Sequence, residues 1–101
     1  MENMILLVDS HHGIYSYFLA YQTLSDEIKE QINVKLSIED INILNQNIDL
    51  IYGTEFDLEE LSYAFDALCS IPIEINDKTY FVNEIEGDIW LVNEKYQLEE
   101  F

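Results

Sequence analysis

Residues 57 to 93 spell one amphipathic helix followed by three apolar runs with turn residues between them, an order that suits a helix packed on an antiparallel sheet. In DLEELSYAFDALC, Leu58, Leu61, Ala64, Phe65 and Leu68 recur at helical spacing, with Glu59, Glu60, Tyr63 and Asp66 on the opposite side. Asp57 stands where an N-cap belongs. Pro72 permits an edge or a strand start, and Asn76-Asp77 joins 71–75 to 79–85 as a tight hairpin. Glu86-Gly87-Asp88 then turns the chain into a last run, 89–93. Alternation puts Ile71, Ile73 and Ile75 on one face, with Phe81 and Ile85 able to join it, while Tyr80, Val82, Trp90 and Val92 need room as well. Such a sheet is apolar on parts of both faces. Either helices cover both, or one patch is left for a partner or a second copy.

The remaining chain supplies what packs on this segment. Met4 to Val8 is a short continuous apolar run, read as a strand buried on both faces rather than an edge. After the turn DSHHG, the spacing of Ile14, Tyr17, Phe18, Tyr21 and Leu24 predicts an aromatic-rich helix, with Ser10 or Gly13 as cap or turn residues. Ser25 or Asp26 caps a further helical stretch carrying Ile28 and Ile32, either a new helix or a kinked continuation. Ser37, followed by Glu39 and Asp40, opens a short helix to about Leu44, its acids favoured by the helix dipole. The stretch IDLIYGTEF, 48–56, reads as loop with a helical turn, and the tail EKYQLEEF as a marginal helix or frayed end. The expected fold is α+β: one domain over 1–101, three to four helices on a mostly antiparallel sheet of about four strands, ending in a β-meander.

Charge is the outlying property. Twenty-one acids stand against four lysines and no arginine, a formal net charge of -17. Strong acidity implies disorder only when hydrophobic and aromatic residues are scarce, and this chain is 49% hydrophobic with seven Tyr, five Phe and one Trp. A globular acidic domain follows. Its field repels nucleic acid and anionic membranes and attracts cationic surfaces. Phosphate contacts need Lys and Arg, so direct nucleic-acid binding is excluded. The single Cys69 cannot form an internal disulfide and points to a reducing cytoplasm; the run at 4–8, with Glu2 before it, is too short for a signal peptide or membrane span.

No catalytic motif emerges. Asp9, His11 and His12 share one turn, but adjacent histidines point in different directions and lack metal-ligand spacing, so helix capping is the simpler role; a small metal enzyme or sensor is the alternative reading of this turn. A lone Cys69 on an apolar helix face reads as packed and inert. Pairs of carboxylates for acid/base work are uninformative among 21 acids. No metal or cofactor is expected.

VDSHHGIYSYFLA near the N-terminus, and YGTEF, the acidic aromatic helix and GDIWLVNE further on, together resemble small uncharacterised proteins of bacteriophages and mobile elements, across most of the chain in order. The resemblance implies a setting in which small acidic proteins include anti-CRISPR and anti-restriction inhibitors that imitate DNA. The expected function is non-catalytic binding to a basic host protein, such as a nucleic-acid-binding defence nuclease in a bacterial cytoplasm. Asp57, Glu59, Glu60, Asp66, Glu74, Asp77, Glu84, Glu86 and Asp88 supply the charge, and Tyr63, Tyr80 and Trp90 the specific contacts. The alternative is a structural or interaction module, homodimeric through an apolar sheet face, whose acids serve solubility.

Overall fold

A computed structural model describes residues 4–46 and 57–93. The expected loop at 48–56 and the tail from Glu94 lie outside the described residues. The chain runs β1 (Met4–Val8), a 3-10 turn (Ser10–Tyr15), α1 (Ser16–Gln22), α2 (Asp26–Asn33), α3 (Ile38–Leu44), α4 (Leu58–Cys69), β2 (Ile73–Ile75), β3 (Lys78–Ile85) and β4 (Asp88–Asn93). The four described strands form one antiparallel sheet in the order β1-β4-β3-β2. The expected α+β architecture with its C-terminal meander is present.

Three of the four described α-helices begin where the sequence offers an oxygen to orphan N–H groups, whereas α1, preceded by Tyr15, has no side-chain cap. Ser25 Oγ accepts from the Ile28 N–H at 3.3 Å, and Ser37 Oγ from the Asp40 N–H at 3.1 Å. Ser25 therefore starts a separate α2, not a kinked continuation of α1. Asp57 Oδ1 accepts from the N–H groups of Glu59 at 2.9 Å and Glu60 at 3.3 Å. The aromatic helix begins later than the sequence suggests, because Asp9 Oδ1 first caps a 3-10 turn through the His11 N–H at 3.0 Å. Within that turn Gly13 adopts φ 55° and ψ -133°, a conformation open in practice only to glycine.

Both hairpins of the meander are two-residue turns. Asn76 and Asp77 have φ of 51° and 66°, and Glu86 and Gly87 have 52° and 89°, the sign pattern of type I′ turns that suits the twist of paired strands. Register then decides the faces. Tyr80 pairs with Ile73 and Asn93, Val82 with Leu91, and Glu84 with Ile89, so Ile73, Tyr80, Val82, Ile89 and Leu91 share one face. The four described α-helices lie on this face, where Phe18, Tyr21, Ile32, Leu44, Leu61, Phe65 and Leu68 complete the buried core.

Three expectations are corrected by this arrangement. Phe81 and Ile85 do not join the isoleucines of β2; odd-numbered β3 residues fall on the other face, with Val92, Trp90, Met4 and Leu6. Tyr80, expected at the surface, is 4% exposed and belongs to the core beside Ile73. β1 is an edge strand, not an interior one: its described partner is β4 alone, and Ile5 and Leu6 are 38% and 49% exposed. A register shift between Leu6 and Val8 turns Val8 back into the core. The opposite edge, β2, is blunted by a side chain from α2. Gln31 accepts from the Glu74 N–H at 2.8 Å and donates to the Glu74 carbonyl at 3.0 Å, imitating a neighbouring strand.

Candidate acidic binding site

Helix α4 is packed on the sheet by Leu61, Ala64, Phe65 and Leu68, so its outer residues diverge to two sides. On one side Glu60 and Tyr63 meet Glu39 and Asp40 of α3 around a groove of about 420 Å³ that Asn42 and Ile43 also line. Tyr63 is 66% exposed there. On the other side Ser62, Asp66 and Cys69 look across a cleft of about 470 Å³ to Ile14 and Tyr17 and to Asn83 and Glu84 of β3. A smaller depression, about 320 Å³, continues past Tyr17 and Glu84 to Ser10, Gly13 and Gly87.

This second cleft has a definite chemical character. Tyr17 and Phe65 meet edge to face with ring centroids 4.6 Å apart, forming an aromatic wall. Burial first, then the nearby Glu84 carboxylate, hold the Tyr17 phenol above the ordinary tyrosine range, and Asp66 adds to the effect. The Cys69 thiol is pushed up to about 12, first by burial and then by Asp66 and Glu84. It is a protonated thiol at neutral pH, a poor nucleophile. The same two carboxylates thus act on both groups from across one space.

The expected contact residues sort into three kinds. Glu59, Glu60, Tyr63, Asp66, Asp77, Glu84 and Glu86 are exposed, and Trp90 is half-buried on the outer sheet face. Three others hold the fold. Asp57 caps α4; Asp88 Oδ1 accepts from the Ser10 N–H at 2.8 Å, tying β4 to the chain after β1; and Glu74 Oε2 accepts from the Thr79 hydroxyl at 2.8 Å across the hairpin. Tyr80 is withdrawn into the core and offers no surface. The acids do not line one face: Glu60 joins α3, Asp66 and Glu84 share the cleft, and Glu74 and Asp77 sit at the β2–β3 hairpin.

Sequence reasoning did not find Tyr17, Ser62 and Asn83, nor Glu39 and Asp40 as partners of Glu60. Only the first-turn position of Glu39 and Asp40 signalled their exposure. At the DSHHG turn, His12 Nε2 lies 3.8 Å from Asp9 Oδ1 with both side chains about half exposed, and Asp9 acts as the cap. Among the described residues no group of three or more His, Cys, Asp or Glu is placed to hold a metal ion, and no described helix is long and apolar enough to cross a membrane.

Fold and site together define a small acidic α+β domain with two carboxylate-lined depressions flanking one helix. Compared with protein-family models, curated proteins and solved structures, the chain finds no match.

Proposed function

We propose that this protein is a non-catalytic acidic binding protein, an inhibitor that occupies the cationic nucleic-acid-binding surface of a host defence nuclease in the manner of an anti-CRISPR DNA mimic. The supporting observation is that every described carboxylate lies exposed or half-exposed, on elements held by caps, tight turns and a common core. Magnitudes are compatible with mimicry. The molecule is 41 Å long and carries -17, whereas duplex DNA of that length carries about 24 negative charges. Charge per unit length is thus about seven-tenths that of the polymer, and Tyr63 and Trp90 add contacts that a pure polyanion lacks. A bacteriophage or mobile element, the setting implied by the resemblance, suits such an inhibitor.

Immobilised protein exposed to bacterial lysate tests the reading. It expects nucleic-acid-binding proteins to be retained, to elute as salt is raised, and to be displaced by added duplex DNA. Retention that is indifferent to both salt and DNA rejects it.

A second reading, an interaction module that dimerises, draws on the outer sheet face, where Leu6 is half exposed and Phe81, Ile85 and Trp90 are half-buried. Dimerisation through apolar surface, opposed by -17 on each copy, strengthens with salt, the opposite sign from the first reading. Sedimentation at several concentrations and two salt levels decides it; a monomer throughout removes it.

A further inference from the structure

We propose that the cleft between α4, the 3-10 turn and β3 receives an arginine side chain of the basic partner, its guanidinium held by Asp66 and Glu84 and its methylene stem along Ile14 and Leu58. This rests on the reading of the protein as an acidic binder and names what one part of that surface takes.

Cleft chemistry selects the occupant by elimination. The cleft is lined by two carboxylates and by none of the described lysines, so an anion is repelled. A neutral apolar ligand strips water from Asp66 and Glu84 and returns no hydrogen bond. A bare divalent ion lacks ligands, since the described residues hold no group of three metal-binding side chains. An organic cation fits. Between the two that proteins carry, lysine is a compact and strongly hydrated charge, poorly matched to a space whose walls include Ile14, Leu58, Leu61 and Phe65. Guanidinium is planar and weakly hydrated, stacks on aromatic rings, and can donate to two carboxylates at once. The Tyr17–Phe65 pair supplies the rings.

Electrostatics agrees with this choice. Asp66 and Glu84 both disfavour the anionic forms of Tyr17 and Cys69, so the fields of both carboxylates reach into this one cleft. The depression beyond Tyr17 and Glu84 gives the backbone on either side of the arginine a shallow path across the surface toward Gly87.

The test is a titration of isotope-labelled protein with acetyl-Gly-Arg-Gly-amide, followed by NMR, beside the matching lysine peptide. The expected result is saturable shifts confined to Tyr17, Ser62, Asp66, Cys69, Asn83 and Glu84, several-fold weaker with lysine. Affinity falls about tenfold in Glu84→Gln and in Asp66→Asn, the loss of one charge-assisted contact. Both side chains are exposed, so neither variant threatens folding, and Glu60→Gln, in the other groove, is the charge-matched control expected to change nothing. Shifts spread evenly over all acids, equal response to lysine, or an equal effect of Glu60→Gln each overturn the proposal. If the cleft fails while salt-sensitive, DNA-displaceable binding persists, the arginine site alone is wrong. If the peptide binds as expected and DNA competes with nothing, the inhibitor reading is wrong and the site stands.

Discussion

At the scale of single residues, the same carboxylate chemistry serves two ends, and substitution separates them. Asp57 is an exposed acid by composition, yet its Oδ1 accepts two backbone N–H groups at the start of α4. Asp57→Ala is expected to lower unfolding free energy by about 1 kcal/mol in urea titration, while Asp57→Asn, which keeps the cap and loses the charge, recovers most of it. An equal loss from both variants assigns the effect to charge at the helix N-terminus instead. Cys69 gives a residue-level pH signature. Its thiol is raised in the folded state from 9.0 to about 12, so the stabilisation is complete below pH 9 and is lost as pH climbs toward 12. The urea midpoint of the natural protein is expected to fall more steeply between pH 9 and 11 than that of Cys69→Ala. Parallel slopes overturn the assignment. The thiol is also expected to resist iodoacetamide at pH 8 until the protein is unfolded.

At the scale of elements, what the sequence disclosed depended on how local the determinant was. Ser25, Ser37 and Asp57 act within three residues of themselves, and Asn76-Asp77 within its own turn, so caps and hairpin could be read directly. Which face Phe81 and Tyr80 occupy depends on pairing with β2 and β4, and a slip of one residue exchanges the faces. Whether MILLV lies inside a sheet or at its edge depends on strand order, which no property of those five residues encodes. The site was legible to the same degree. Exposure of Glu59, Glu60 and Asp66 followed from helical period, but the meeting of Asp66 with Glu84, and of both with Tyr17, needed the tertiary fold.

The turns carry a prediction at this level. Asp77 and Glu86 hold positive φ of 66° and 52° without being glycine, at positions where glycine or asparagine fits with less strain. Asp77→Gly and Glu86→Asn are each expected to stabilise the protein by roughly 0.5 kcal/mol in thermal or urea unfolding. If these acids contact the partner, the same substitutions weaken binding while strengthening the fold. Loss of stability in both variants means that the carboxylates contribute to the hairpins beyond their backbone geometry.

For the whole molecule, the decisive quantity is a net charge of -17 on one small domain. Four lysines cannot neutralise 21 acids, and one of them, Lys29, lies over the Tyr21 ring with its Nζ 5.2 Å from the centroid. The folded state gathers the acids onto a body whose shortest extent is 21 Å, whereas the unfolded chain spreads them out, so self-repulsion opposes folding. Screening relieves it: the Debye length falls from about 10 Å at 0.1 M salt to about 3 Å at 1 M. Sodium chloride is therefore expected to raise the Tm steadily over this range, and by more in the natural protein than in a variant carrying Glu59→Gln, Glu60→Gln and Asp66→Asn. Chloride is the informative anion, since sulfate strengthens apolar burial by its own route. A partner's cationic surface does locally what salt does generally, so the complex is expected to melt above the free protein at low salt, with the gap closing as salt rises. A Tm that falls with sodium chloride means that the acids are engaged in attractive contacts within the fold, and that they are not held in reserve for another molecule.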